Sequence, residues 1–355
     1  MVSKENPPPQ VPDASPISPE PGMNAPTSIT LRDLAAAVGV SVGTVSRALK
    51  NQPGLSEQTR NEILRKAEEL GYNITRLRAG KPKRVLFMLN RYHASLSENP
   101  FYSVVLHGVE EVCREENVSL SLLTLGAGDP IAGWIKRHEP DALIPAGFFD
   151  EEMLAEFRAT DLPMVLVDHF ASDLFCVNDD NLRGAWQATT HLIEQGCQRI
   201  AMICGPEAHH SIRLRARGYR KALFDAGRLA DPDLEVMLDP TVPDYGVAAA
   251  EAMQRLLDSP QRPDGVFAYN DETAMRAIEL CEARGIAVPR DILFVGYDNI
   301  TAASRFRPSL STIHVDKEGL GRTAARRLIA GESTAAGEVL LPVELIVRES
   351  SQRPA

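Results

Sequence analysis

The sequence predicts a small all-α helix-turn-helix headpiece followed by an α/β body of two doubly wound parallel-sheet lobes. Three features point there. Short amphipathic segments fill residues 29–72. From residue 84 onward, apolar runs of strand length alternate with helical stretches. The two regions also carry opposite net charge. With 355 residues the chain has room for several domains, and 44 % hydrophobic with 24 % charged residues is ordinary for a globular protein.

Residues 1–28 include "KENPPPQVPDASPISPEPGMNAP", rich in Pro, Ser and Glu, and are expected to form a disordered tail without a core. They hold no apolar h-region, and no run in the chain approaches 18 apolar residues. Neither a signal peptide nor a membrane span is expected, which suits a cytoplasmic protein.

The headpiece, 29–72, begins with "TLRDLAAAVG", where Leu31, Leu34, Ala35 and Val38 fall on one helical face and Gly39 stops the helix. "SVGTVSRALKN" follows, with Ser41 as N-cap and Val45, Ala48 and Leu49 inward. After Pro53-Gly54, "SEQTRNEILRKAEELGY" has Ser56 as N-cap and Ile63, Leu64, Ala67 and Leu70 inward, ending at Gly71. Residues 73–83 read as a hinge and 84–350 as the two-lobed body. There "RVLFML", "SLSLLTL", "DALIPAG", "PMVLVD", "RIAMICG", "GVFAYN" and "ILFVGYD" have the continuous apolar character of buried parallel strands. The pieces after Asp298 are expected to close both lobes, and 351–355 to form a short tail.

Charge separates these regions. Between Ile29 and Arg84 there are 11 Lys/Arg against 5 Asp/Glu, a net +6 inside a chain of net -10. A basic segment on an acidic body suits a DNA contact at one end, because phosphate attraction is screened within roughly 8–10 Å. The five cysteines (113, 176, 197, 204 and 281) are scattered and stand at no metal-ligand spacing. They read as reduced structural thiols, and no metal or cofactor is expected.

Gly39-Val40-Ser41-Val42-Gly43 also fits G-x-S-x-G, the nucleophile elbow of α/β-hydrolases. An elbow must follow a buried strand, and "LRDLAAAV" is an alanine-rich helix. Ser41 therefore reads as a cap. No G-x-x-x-x-G-K, G-x-G-x-x-G or H-E-x-x-H occurs, so an enzyme is not expected. The remaining alternatives are an α/β sugar-processing enzyme and a two-lobed solute-binding receptor for a transporter. The basic headpiece and the missing signal peptide weigh against both.

"TLRDLAAAVGVSVGTVSRALKNQPGLSEQTRNEILRKAEELGY" resembles the headpiece of the lactose-repressor (LacI/GalR) family of bacterial transcription regulators. "DDNLRGAWQATTHLIEQGCQRIAMICGP", "RLRARGYRKAL", "AYNDETAMRAI", "ILFVGYDNI", "RPSLSTI" and "LLPVELIVRES" extend the resemblance over about 28–350. It implies a periplasmic-binding-protein-like body, an allosteric homodimeric repressor, a pseudo-palindromic double-stranded operator and a small effector. It also implies that Val42, Gly43 and Arg47 read bases, with Thr30, Leu31, Ser41, Thr44, Ser46 and Thr59 beside them or near phosphates. By its own chemistry Arg47 is the best base reader, since a guanidinium can bond guanine O6 and N7 together; a phosphate contact is the alternative. The hinge departs from the family pattern. Leu77, the candidate minor-groove wedge, stands five residues after Tyr72, about one helical turn short of its usual place. No leucine heptad follows "RESSQRPA", so a tail-mediated tetramer is not expected.

In two-lobed α/β bodies, ligands lie at the carboxyl ends of strands. Asn90, Asp168, Asn270-Asp271 and Asp298 end predicted strands. Arg215, in "SIRLRARGY", matches the family block whose arginine holds the effector. With an aromatic wall from Phe101 or Tyr102, and from Tyr245, these residues suit a polyhydroxylated ligand such as a sugar. Asp271 and Asp180 read equally well as helix caps. His169, His209 and His210 read as polar surface or cleft-rim residues.

Overall fold

The computed structural model describes residues 31–49, 54–70, 81–91, 100–126, 128–242, 244–332 and 335–353. The chain divides into two compact units, residues 1–78 and 79–355.

The first unit holds α1 (Leu31–Val38), α2 (Val42–Leu49) and α3 (Glu57–Glu69). Gly39 ends α1 at φ +73°, the left-handed region a Cβ disfavours, and its N–H and that of Val40 both donate to Ala35 O. Two residues later Ser41 caps α2, its Oγ accepting from Thr44 N at 3.1 Å. Ser56 caps α3 in the same way through Thr59 N. The inward positions read from the periodicity meet as one core of Leu34, Ala35, Val45, Ala48, Leu49, Ile63 and Ala67.

The second unit begins with β1 (Arg84–Asn90), α4 (Phe101–Glu115), β2 (Ser119–Leu125), α5 (Ile131–His138), β3 (Ala142–Ala146), α6 (Glu151–Arg158), β4 (Val165–Val167) and β5 (Phe175–Asp179). It continues with α7 (Asn181–Glu194), β6 (Ile200–Cys204), α8 (His210–Asp225), β7 (Glu235–Met237), α9 (Tyr245–Asp258), β8 (Gly265–Ala268), α10 (Asp271–Ala283), β9 (Leu293–Asp298), α11 (Thr301–Arg305) and β10 (Ser311–Val315). It ends with α12 (Lys317–Ile329), β11 (Gly337–Leu341) and β12 (Val343–Ile346). Two six-stranded sheets result, ordered β11-β5-β4-β3-β1-β2 and β12-β10-β9-β8-β6-β7. All named pairings are parallel except β10 with β12.

Both faces of each sheet are covered, which explains why the strands are apolar throughout rather than alternating. In β1, Val85, Phe87 and Leu89 pack towards α4 and α12, while Leu86 and Met88 pack towards α5 and α6. In β6, Met202 joins the core shared with α7 and α8, and Ala201 and Ile203 join that of α9 and α10. The chain passes between lobes three times: at Asp179–Asn181, at Val315–Lys317 and at Leu341–Val343.

The sequence reading omitted β5, β7, β10, β11 and β12. β7 is a three-residue edge strand, and β12 is half buried, so neither shows a continuous apolar run. The expected boundary of the short tail also moves. Ser351 is buried, and its Oγ lies 2.7 Å from His191 Nε2 and 2.7 Å from Ser311 Oγ.

Candidate functional site

In the first unit, burial of Val45, Ala48 and Leu49 turns the opposite side of α2 outward. Val42, Gly43 and Arg47 are exposed there, with Thr44 and Ser46 half-buried between them. Ser41 Oγ also lies 2.8 Å from Thr44 Oγ1, and Arg47 Nε donates weakly to Gly43 O at 3.4 Å. Thr59 is partly exposed at the start of α3. Leu31 opens α1. Thr30 and Leu77 lie outside the described residues.

In the second unit, buried polar groups gather where the strands of both lobes end. Arg215, in the second turn of α8, is the hub. Its Nε donates to Asn181 Oδ1 at 2.7 Å and its Nη1 to Tyr269 O at 2.5 Å, while Nη2 lies 3.6 Å from Asp298 Oδ1. The guanidinium also sits 3.6 Å from the centre of the Tyr297 ring. Tyr297 in turn donates to Asp179 Oδ2 at 2.6 Å, and Tyr102 donates to Asp168 Oδ2 at 2.7 Å. Asp168 and Asp179 belong to the first lobe, Arg215 and Asp298 to the second. Asp179 and Asn181 form the first crossover itself, and Lys317, just past the second, donates to Asp298 O.

Burial dominates the electrostatics. It raises Asp168 and Asp179, although Arg215 and the hydroxyl donors oppose it, and it pushes Asp298 up to about 7 against Arg215 and Lys317. Asp179 Oδ1 and Asp298 Oδ1 have no hydrogen-bond partner among the described residues. Buried acceptors left this way are costly. Asp298 also adopts φ +103° and Asp168 φ +52°, conformations a side chain rarely takes. Such strain concentrates at functional sites.

Beside this cluster lies a group of rings. Phe148 meets the His169 ring edge-on at 5.8 Å and the His209 ring at 5.0 Å; Phe170 stacks on His210 at 4.8 Å. Phe148, His169 and Phe170 follow first-lobe strands, whereas His209 and His210 begin α8 of the second lobe. Burial holds His169 and His209 down at about 4, so both are neutral at pH 7. Of the two readings, polar surface or cleft rim, burial of His169 and His209 against Phe148 where the lobes meet rules out the open surface and leaves the cleft rim.

Other residues named from the sequence make structural bonds or packing contacts. Asn90 Nδ2 donates to Phe148 O at 3.0 Å, fixing the loop that carries this ring. Phe101 packs in the apolar core, edge-on to Tyr102, and it is Tyr102 that reaches Asp168. Asn270 caps α10 by accepting from Thr273 N at 2.9 Å. Asp180 caps α7. Asp271 is pushed up to about 8 by burial and accepts from Ile300 N and Thr312 Oγ1, a structural knot rather than a cap. Tyr245 opens α9 and packs with the outer core of the second lobe. Among the described residues no group of three His, Cys, Asp or Glu can hold a metal, and no helix is long and apolar enough to cross a membrane.

Two family models match: "Bacterial regulatory proteins, lacI family" at residues 30–73, and "Periplasmic binding protein-like domain" at 189–351. The chain is 31% identical to the HTH-type transcriptional repressor CytR of Escherichia coli (strain K12) over 348 residues, spanning 92% of this chain and 97% of that protein. The chain belongs to the lacI family. As a member it is a DNA-binding transcriptional regulator, with the helix-turn-helix segment and two-lobed body described above. Among solved structures, the transcriptional regulator CelR–cellobiose complex matches with a TM-score of 0.70 at 31% identity, covering 91% of this chain and all of that one. The lac repressor dimer bound to operator and the anti-inducer ONPF shares the fold, with a TM-score of 0.67 at 24% identity, covering 92% and 100%.

Proposed function

We propose that this lacI-family chain is a cytoplasmic homodimeric repressor, without enzymatic activity, whose affinity for a pseudo-palindromic operator is set by a neutral, hydroxylated effector between its lobes. The effector site is proposed around Arg215, Asp298 and Asp168. The headpiece would span 29–72, with the hinge at 73–83. Val42, Gly43 and Arg47 would meet base edges; Ser41, Thr44, Ser46 and Thr59 would lie near phosphates, with Thr30 and Leu31 flanking them and Leu77 as the wedge. The regulator CytR is named a repressor, and the CelR structure is titled as a cellobiose complex; both favour this reading.

The single observation that carries it is the buried cluster joining the lobes, in which Asp179 Oδ1 and Asp298 Oδ1 accept no hydrogen bond from the described residues, although Asp298 Oδ1 lies 3.6 Å from Arg215 Nη2. Three carboxyl groups lie here with the cations Arg215 and Lys317, and their unmatched acceptor oxygens suit a ligand's hydroxyl donors better than a phosphate or carboxylate, which brings acceptors alone. The test is a set of melting curves with neutral sugars and their phosphorylated forms. Neutral ligands are expected to stabilise the chain, by about 2.7 kcal/mol at a hundredfold excess over Kd, and Arg215→Ala to abolish the effect. A shift with the phosphorylated forms alone would overturn the reading.

A further inference from the structure

Lys81, Lys83 and Arg84 are counted in the basic segment, yet they belong to the second unit and open its first lobe. The matched DNA-binding model ends at residue 73, so Lys81 stands eight residues further along (73 to 81), at most about 29 Å of extended chain. Asp141 Oδ2 accepts from the backbone N–H of both Lys83 and Arg84 at 2.9 Å, which pins the chain where it enters β1. The side chains take other partners. Lys81 Nζ donates to Glu116 O at 3.1 Å and to the Glu116 carboxylate. Arg84 Nη1 donates to Glu139 Oε2 at 2.8 Å, with Nη2 3.9 Å from Asp141 Oδ1. Glu116 precedes β2 and Glu139 precedes β3, so these carboxylates lie at the amino ends of the strands, opposite the end where Asn90 and Asp168 stand.

The side chains of Lys81, Glu116, Arg84 and Glu139 are between 46 % and 72 % exposed. Ion pairs in such surroundings hold weakly and give way to salt. A phosphate offers an ammonium or a guanidinium the same anionic oxygens, and each contact made releases counterions from the duplex. We propose that Lys81 and Arg84 are phosphate ligands held in reserve on Glu116 and Glu139, and that DNA displaces these two carboxylates on binding. Glu116 and Glu139 thereby act as competitors that weaken binding to DNA of any sequence. Asp141, bonded to the backbone, stays in place.

The test is the anisotropy of a labelled random-sequence duplex titrated with the full chain at several salt concentrations, each variant being first checked for folding by its melting curve. Glu116→Gln and Glu139→Gln are each expected to tighten binding about two- to fivefold at low salt. Lys81→Gln and Arg84→Gln are each expected to weaken it and to make its salt dependence shallower, by about one phosphate for each bound chain. In a Lys81→Gln background, Glu116→Gln is expected to change nothing, because the competitor has lost what it competes for. Glu152→Gln removes an exposed charge beyond the carboxyl end of β3. As the control, it is expected to leave binding unaltered. Unchanged affinity and salt dependence in Lys81→Gln and Arg84→Gln overturn the phosphate contacts. Tightening by Glu116→Gln that persists without Lys81, or that Glu152→Gln matches, marks general repulsion and overturns the exchange.

Discussion

Asp298 is where folding and function pull against each other. Its carboxyl rises from an ordinary 3.8 to about 7 because burial outweighs the attraction of Arg215 and Lys317. The folded chain therefore holds this proton more tightly than the unfolded chain does. The contribution of Asp298 to stability accordingly falls as pH rises from about 4 towards 7, and is least favourable above that. At about 1.4 kcal/mol per unit of displacement, the ceiling is about 4 kcal/mol. Asp298→Asn is expected to raise the melting temperature relative to the wild type more at pH 8 than at pH 5, while weakening effector binding. A difference in melting temperature independent of pH would contradict the assignment. In the headpiece, Arg47→Ala is expected to cost about 1–3 kcal/mol against the preferred base pair and much less against others. Competition titrations on single-base operator variants separate that from a phosphate contact, which would weaken binding uniformly.

At the scale of elements, two helices are joined through glycines. A Cβ on Gly108 of α4 would stand 2.1 Å from Glu318 O of α12, and one on Gly321 of α12 would stand 2.1 Å from Val105 O. The backbones approach too closely for any side chain, so Gly108→Ala must spread the pair. A loss of about 1–3 kcal/mol or more is expected, read as a lower melting temperature; an unchanged one would contradict the packing. In α2 the single cap bond predicts that Ser41→Ala costs about 0.5–2 kcal/mol. Faster amide exchange along Val42–Leu49 would report it. These elements also show what was legible beforehand. The caps Ser41 and Ser56 and the inward faces followed from spacing alone. β5 did not, because "FCVND" ends in polar residues and reads as a loop. Missing that strand hid Asp179 and Asn181, which come from its end and the crossover after it. Arg215 was legible only because its block resembles that of the family, whereas Asp298, like Asp168, was also legible as the polar end of an apolar strand. The pairing of Phe148 with His209 was invisible, since it depends on two lobes meeting across about 60 residues of chain.

For the whole molecule, charge and topology divide the work. Net +6 lies in residues 29–84 of a chain of net -10, so operator affinity is expected to fall steeply with salt. The three crossovers sit beside the polar cluster. Asp180 N donates to Leu341 O across two of them at 3.0 Å, Asp179 receives Tyr297, and Lys317 holds Asp298. In the proposed site, a ligand engaging Arg215 and Asp298 would therefore lie against the segments that join the lobes. Regulation further requires the ligand to prefer one arrangement over another. The most direct measurement is operator affinity by fluorescence anisotropy at fixed salt, with and without a saturating amount of the compound that most raises the melting temperature. The expected result is a 5- to 150-fold change, about 1–3 kcal/mol of coupling, that disappears in Arg215→Ala. Equal affinity with and without the bound compound would contradict the proposal that this site controls the hold on DNA.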